Sequence, residues 1–212
     1  PILGSANHVT SFGGTDLFLG TNPNAVSASS ANEDPFVLDM ATTVAAMGKI
    51  KVLAQRGEPM PESWMVGKDG KPLTDPALKS DGFMLPIGGA KGFGLSIVVG
   101  LLAGVLNDAA FGSDVVDFTK DTTHETNTGQ FVMAIDISAF GSTEQFVNKA
   151  SNSFNDMQAS EPLPGYDKVR MPGEGKLQIA DAHREHGVSL NPALRSQLDA
   201  LASEYSIDAL SN

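Results

Sequence analysis

One junction constrains this chain more than any other: the glycine-rich run Leu85-Pro-Ile-Gly-Gly-Ala-Lys-Gly-Phe-Gly94 passes directly into the apolar residues 95–106. Glycines let backbone N–H groups approach a ligand closely, and a helix starting there adds unpaired donors and the positive end of its dipole. Lys91 at the mouth supplies a point charge, so the stretch reads as an anion seat, with a phosphate as the fitting group. It matches neither the P-loop spacing nor the six-residue fingerprint of dinucleotide-binding βαβ units, because Ile97 stands where the third glycine after Gly92 and Gly94 belongs. The plainer alternative is a glycine-rich loop with no ligand.

At 212 residues the chain can form one large domain or two small ones. Hydrophobic residues make up 41% and charged residues 18%, a globular rather than a disordered balance. The net charge is -11 and no basic block interrupts it, so no nucleic-acid partner is expected. The absence of cysteine excludes disulfides and thiolate metal sites and fits a reducing compartment. The apolar run 94–106 falls short of the roughly 20 residues of a membrane span, and no leader pattern precedes it. No membrane association and a cytoplasmic location are therefore expected. The opening Pro1-Ile-Leu-Gly-Ser5 lies inside an apolar run without an initiator methionine, which leads to the expectation of a longer parent polypeptide.

Along the chain, turn-forming Phe12-Gly-Gly-Thr and Gly20-Thr-Asn-Pro23 bracket Leu17-Phe-Leu19, and residues 27–34 read as a polar loop. Pro35-Phe-Val-Leu-Asp-Met40 reads as a buried strand ending in a carboxylate. A helix is expected over 41–56, with Val44, Met47, Val52 and Leu53 on its apolar side and Gly57 closing it. Residues 58–81 look like an irregular surface excursion anchored by Trp64-Met-Val66. The helix opened by Lys91 contains Gly100 and Gly104, each costing about 1 kcal/mol relative to alanine unless close packing compensates. Residues 129–136 give the clearest strand, and 142–160 an amphipathic helix with a Ser-x-Glu start. Glu161-Pro-Leu-Pro-Gly165 is the candidate boundary between a domain 1–165 and a C-terminal segment 166–212. In the latter, a polar helix runs to His186, 187–190 is extended or a brief strand, and Pro192 opens a helix with Leu194, Leu198 and Leu201 on one face.

Several residues carry possible chemistry. Asp39, at a strand end before a helix, could accept hydrogen bonds from a ribose or a substrate, or could cap its own helix through the Thr42 N–H. His183 and His186 share a helix face, but a zinc site needs a third ligand, and a solvated helix end is the simpler reading. His124 could act as an acid or base near neutrality, or be a solvated loop residue. Ser96 lacks the Gly-x-Ser-x-Gly elbow, so nucleophilic hydrolysis has no support. Pro172-Gly-Glu-Gly175 could close over a ligand or merely start a helix.

Read together, Gly13-Gly14, Leu19-Gly-Thr-Asn-Pro23, Leu38-Asp-Met-Ala-Thr-Thr43, Asp75-Pro76, Leu85 to Gly94, Asn127-Thr-Gly-Gln130 and Pro172-Gly-Glu174 resemble the malate/L-lactate dehydrogenase family in order and spacing. This is the non-Rossmann group that also holds ureidoglycolate, sulfolactate and diketogulonate enzymes. The resemblance covers essentially the whole chain. It implies a homodimeric oxidoreductase that uses NAD or NADP to interconvert small 2-hydroxy and 2-oxo acids or similar imines. Its cofactor-binding positions fall on Ser5, on Asp39-Met40-Ala41, on Lys91-Gly92 and on Gly173-Glu174-Gly175. Lys91 would meet the coenzyme phosphates, and Asp39 the nicotinamide or ribose side. The family's catalytic histidine and an arginine-bearing helix lie upstream of Pro1 in this resemblance, so the chain corresponds to the C-terminal two-thirds of such an enzyme. Some relatives place a substrate-binding arginine immediately before the Asn-x-Gly-Gln motif, where this chain has Thr126.

The expected architecture is α/β: a mixed sheet flanked by helices in a non-Rossmann nicotinamide-binding fold, with a C-terminal helical segment docking on an N-terminal part. The expected partners are a small-molecule substrate and a second copy of the chain, with no bound metal. The rival class is a non-catalytic dinucleotide-binding domain used for sensing or assembly. A third reading, a zinc hydrolase built on His183 and His186, would require bound metal.

Overall fold

A computed structural model describes residues 1–31 and 35–210. The chain divides into two units, Pro1–Glu174 and Gly175–Asn212.

In the first unit, β1 (Ile2–Leu3), β4 (Asn24–Ala28), β5 (Phe36–Met40) and β8 (Gln130–Phe131) form a four-stranded sheet in the order β5-β4-β1-β8. Two hairpin-like pairs accompany it: β2 (Asn7–Thr10) with β3 (Leu17–Gly20), and β6 (Met65–Gly67) with β7 (Gly82–Met84). Each of these pairings is antiparallel. Helices α1 (Met47–Arg56), α2 (Ala90–Ala103) and α3 (Thr143–Gln158) complete the unit, so the expected α/β class with flanking helices holds.

The core gathers Val9, Leu19, Ile50, Met60, Met65 and Met84, drawn from β2, β3, α1, the loop that follows α1, β6 and β7. Burying each such side chain stabilises the fold by about 1.5–3 kcal/mol. Helix α2 packs on β1, β3 and β8. Its glycines are explained by that packing. A Cβ on Gly100 would overlap the Phe111 ring, and one on Gly104 would crowd the Ala110 carbonyl oxygen. Phe111 in turn meets Phe18 edge-on at 6.0 Å. The helical propensity lost at the two glycines is thus offset by aromatic contact.

Several expectations are corrected. The helix expected over 41–56 begins only at Met47, because the preceding backbone bonds elsewhere: Thr42 N–H donates to Thr21 O at 2.9 Å and Val44 N–H to Leu85 O at 2.9 Å. Gly57 closes that helix in the left-handed conformation, φ 67°. The loop expected over 27–34 starts later, since Ser27 and Ala28 belong to β4, and residues 32–34 lie outside the described residues. Residues 58–81 are not a mere surface excursion: Met60 and Met65 are in the core, β6 pairs with β7, and Asp75 caps a 3₁₀ turn, Pro76–Asp81. The strand expected over 129–136 is only β8. Beyond it Val132, Met133 and Ile135 are 73%, 65% and 63% exposed, so the apolar pattern lacks the neighbour that a longer strand requires. Alternation signals a strand only where a partner supplies the ladder.

Helix α3 matches its expected span closely, and Ser142 Oγ accepts from Gln145 N–H as its N-cap. Phe36 of β5 stacks on Phe154 of α3 at 5.5 Å. The first unit runs on to Glu174, past the candidate boundary at Gly165, because the Glu174 carboxylate ties residues 168–171 to α3.

The second unit holds α4 (Lys176–His186) and α5 (Pro192–Glu204). Asn191 caps α5 by accepting from Leu194 N–H at 2.8 Å, and Pro192 occupies the first turn. Residues 187–190 are extended and unpaired, so the brief strand is not formed.

Candidate functional site

The segments singled out in the sequence are neighbours in the first unit, linked by a chain of hydrogen bonds. Ser5 Oγ accepts from Asn22 N–H at 3.1 Å and lies 3.3 Å from Thr21 Oγ1. Thr21 O accepts from both Thr42 N–H and Thr42 Oγ1, the latter at 3.0 Å. Thr42 O accepts from Ile87 N–H at 3.0 Å, and Thr43 bridges to Pro86. Pro172 O accepts from Val37 N–H at 3.3 Å, which lays the 172–174 turn along β5 two residues before Asp39. The segments that hold residues 5, 39–44, 85–92 and 172–174 are therefore linked through backbone and hydroxyl hydrogen bonds, in part by way of the buried Thr42 and Thr43. Gly175 succeeds Glu174 in the chain as the first residue of the second unit, left-handed at φ 79°.

Asp39 is exposed on β5, paired with Ala25 across the sheet, and it does not cap α1. The cap reading fails because the Thr42 N–H it required is committed to Thr21. Met40 and Ala41, half-buried, lead from the strand into the 41–46 loop.

At the start of α2, Gly88 and Gly89 take positive φ values of 58° and 62°. Two left-handed residues in succession turn the chain sharply into the helix, and only glycine adopts this without strain. No acidic residue occupies the first turn, and Lys91 there is exposed and makes no ion pair with a described residue. This is an electropositive helix terminus. Gly92 has a second reason to be glycine: a Cβ would overlap the Ile87 carbonyl oxygen.

Glu174 is held by its own loop. Its carboxylate pairs with Lys168 Nζ, accepts from Met171 N–H at 3.0 Å and from Gln158 Nε2 at 2.9 Å. The Lys168 contact first, then the Met171 and Gln158 donors, hold its carboxyl down to about 2 against a partial loss of solvent. Because the folded value lies below the ordinary 4.5, this stabilisation is complete above about pH 4.5 and is lost as pH falls towards 2. Glu174→Gln should therefore flatten the acid limb of a urea-midpoint profile between about pH 5 and pH 2.5. Gly173, at φ 90° against Val37, presents backbone rather than side chain at this edge.

The remaining candidates make other contacts. Thr126 is exposed, 3.2 Å from Thr128 Oγ1, while Asn127 pins the neighbouring turn through Val116 N–H and Asp114 O. His124 is exposed with its Nδ1 2.8 Å from Asp121 Oδ2. The Thr123 and His124 donors hold that carboxyl at about 2. His183 and His186 lie on α4 and are exposed. Ser96 is a structural residue: Asn22 Nδ2 donates to its carbonyl oxygen at 2.9 Å and to its Oγ at 3.0 Å in the buried interior. No local signal reveals that pair, since 74 residues separate its members. The Lys168 and Gln158 partners of Glu174, 6 and 16 residues away, were missed because no helical or strand spacing links them to it.

In one α/β unit, neighbouring segments carry a glycine-led helix terminus, a strand-end carboxylate and a glycine turn. Comparison places this unit in a family. The malate/L-lactate dehydrogenase family model matches residues 3–199, and the chain belongs to that family. It is 36% identical over 166 residues to a ureidoglycolate dehydrogenase (NAD(+)) of Escherichia coli O157:H7, covering 78% of this chain and 47% of that protein. Among solved structures, sulfolactate dehydrogenase from Methanocaldococcus jannaschii superposes with a TM-score of 0.81 at 32% identity, covering 98% of this chain and 59% of that one. Malate dehydrogenase from Entamoeba histolytica gives a TM-score of 0.87 at 25% identity, covering 98% and 61% respectively. The chain spans about half the length of the curated relatives it matches.

Proposed function

We propose that this chain carries the coenzyme-binding part of an oxidoreductase that moves a hydride between NAD or NADP and a small 2-hydroxy or 2-oxo acid. The observation that carries the reading is that the segments holding Ser5, Asp39-Met40-Ala41, Lys91-Gly92 and Gly173-Glu174 are joined by hydrogen bonds through Asn22, Thr21, Thr42, Ile87, Val37 and Pro172. Relatives named for ureidoglycolate, sulfolactate and malate support the substrate class. The nicotinamide ring supplies the hydride chemistry when bound.

The residues present fit such a group. The start of α2 offers backbone donors and an unpaired lysine without a competing carboxylate, which suits a diphosphate. Lys91 neutralises that charge. Asp39, exposed at the strand end, accepts hydrogen bonds from the ribose or the carboxamide. Glu174 acts at one remove, shaping the turn so that Gly173 and Gly175 present backbone. Thr126 leaves the substrate's acid group without the charge-assisted bond an arginine would give, worth about 1.5–3 kcal/mol.

Hydride transfer at an alcohol carbon needs a positioned acid or base for the companion proton. In the family resemblance that group is a histidine upstream of Pro1. The 212-residue chain alone should accordingly bind coenzyme and show negligible turnover of malate, lactate or ureidoglycolate. Robust turnover would overturn this and direct attention to His8 or His124.

The coenzyme assignment is tested by titrating intrinsic or NADH fluorescence with NADH and NADPH. Lys91→Ala should weaken binding by about 10- to 100-fold, the loss of one charge-assisted contact, and Lys91→Arg should restore most of it. Unchanged affinity in Lys91→Ala would remove Lys91 from the phosphates.

A further inference from the structure

A cavity of about 220 Å³ lies between β2, α1, the Pro76–Asp81 turn and the 117–120 turn, apart from the segments assigned to coenzyme. Its walls carry Lys51 from α1, Lys79 from the 3₁₀ turn, Lys120 and the half-buried His8 of β2, over a floor that includes the buried Met65 and Met84. Acids outnumber bases 25 to 14 in this chain, yet no carboxylate lines the cavity. Asp117 lies 3.1 Å from Lys120 Nζ. Lys51 and Lys79 make no ion pair with a described residue. The lining itself carries three lysines and no carboxylate; Asp117 pairs with one of them, and Asp16 and Asp81 adjoin lining residues in the chain.

Gathering like charges in a cavity is unfavourable for folding, and more so beside an apolar floor that holds less water than open surface. A mainly acidic chain could relieve this cost with a single glutamate at the rim. It has none there. Burial is the main cause that lowers the His8 pKa, with Asp117 opposing it and Lys120 and Lys51 adding to it. The combination of a cationic rim and a methionine floor suits a ligand with two negative ends and a short hydrocarbon body.

We propose that this cavity is a binding site for a small organic dianion, of the short dicarboxylate class, held by Lys51, Lys79 and Lys120. It is separate from the coenzyme surface and does not depend on that reading. The lysine heads meet the carboxylates, and the methylene body lies on Met65 and Met84. Affinity falls with added salt because the contacts are ionic and near the surface.

Calorimetric titration of the 212-residue chain with succinate at low salt tests it, with neutral succinamide as the uncharged control. Succinate should bind with a dissociation constant of about 1 mM or tighter and succinamide should not. Lys51→Gln/Lys79→Gln should lose at least about 10-fold in succinate affinity, whereas Lys49→Gln/Lys71→Gln, an equal change of charge outside the cavity, should keep it. Failure of succinate to bind, equal binding of succinamide, or equal losses in the two double variants would each overturn the proposal. NADH titration of Lys51→Gln/Lys79→Gln should match the unaltered chain, which separates this site from the coenzyme reading.

Discussion

Gly92→Ala is expected to cost about 3 kcal/mol or more of folding stability, a large effect for the addition of one methyl group. The added Cβ would overlap the Ile87 carbonyl oxygen, a backbone atom that cannot swing aside as a flexible side chain would. Relief requires the 85–89 loop to move off the first turn of α2. That loop is bonded through Ile87 N–H to Thr42 O and through Leu85 O to Val44 N–H, so the displacement would reach the 39–44 segment as well. Stability and coenzyme affinity should therefore fall together in Gly92→Ala, measured by urea unfolding and NADH titration. Gly94→Ala, where a Cβ meets nothing within 4 Å, is the control and should leave both nearly unchanged. A Gly92→Ala protein as stable as the unaltered chain would show that Gly92 is not needed for this packing.

The second large effect is expected at Asn22. It is 3% exposed, takes a left-handed φ of 36°, and directs both its amide donors towards Ser96, to the carbonyl oxygen and the hydroxyl. Asn22→Ala should cost about 1–3 kcal/mol through the lost bonds and the strained backbone. Asn22→Asp should cost more, about 3–5 kcal/mol at pH 7, because a buried carboxylate would face an acceptor with no donor of its own. Its carboxyl pKa would be raised in the folded chain. The penalty is then full above the folded value and relaxes as pH falls towards the unfolded value near 4. Urea midpoints at pH 7.5 and pH 5 should thus converge with those of Asn22→Ala on acidification. Equal midpoints for the two variants at pH 7.5 would remove the buried-charge argument.

How far the candidate site was legible depends on the range of the forces involved. Gly88, Gly89 and Lys91 were readable because a helix terminus is a local object: glycine conformations, a missing acid and a nearby lysine all lie within a few residues. Ser142 at the start of α3 and Pro192 in the first turn of α5 were readable for the same reason. Asp39 was misread as a possible cap because its neighbour Thr42 has two competing acceptors, and the winning one, Thr21 O, lies on another segment. The strand over 129–136 was overextended because alternation records a preference, while pairing needs a neighbouring ladder that Val132 to Ile135 lack. The family resemblance names Glu174 as a cofactor position, and the structure adds that Lys168, Met171 and Gln158 of α3 hold its carboxylate.

The sequence by itself determined the α/β class, the starts of α2, α3 and α5, the turn glycines and the family, because each of these is written in short windows or in the order of motifs. Only the tertiary structure decided that Ser5, the 39–44 loop, the 85–92 loop and the 172–174 turn adjoin, that Gly92, Gly100 and Gly104 are packing residues, and that lysines from three separate elements share one cavity. Hydrogen bonds and steric contacts act over a few ångströms in space, and residues tens of positions apart in the chain meet only once the backbone has folded.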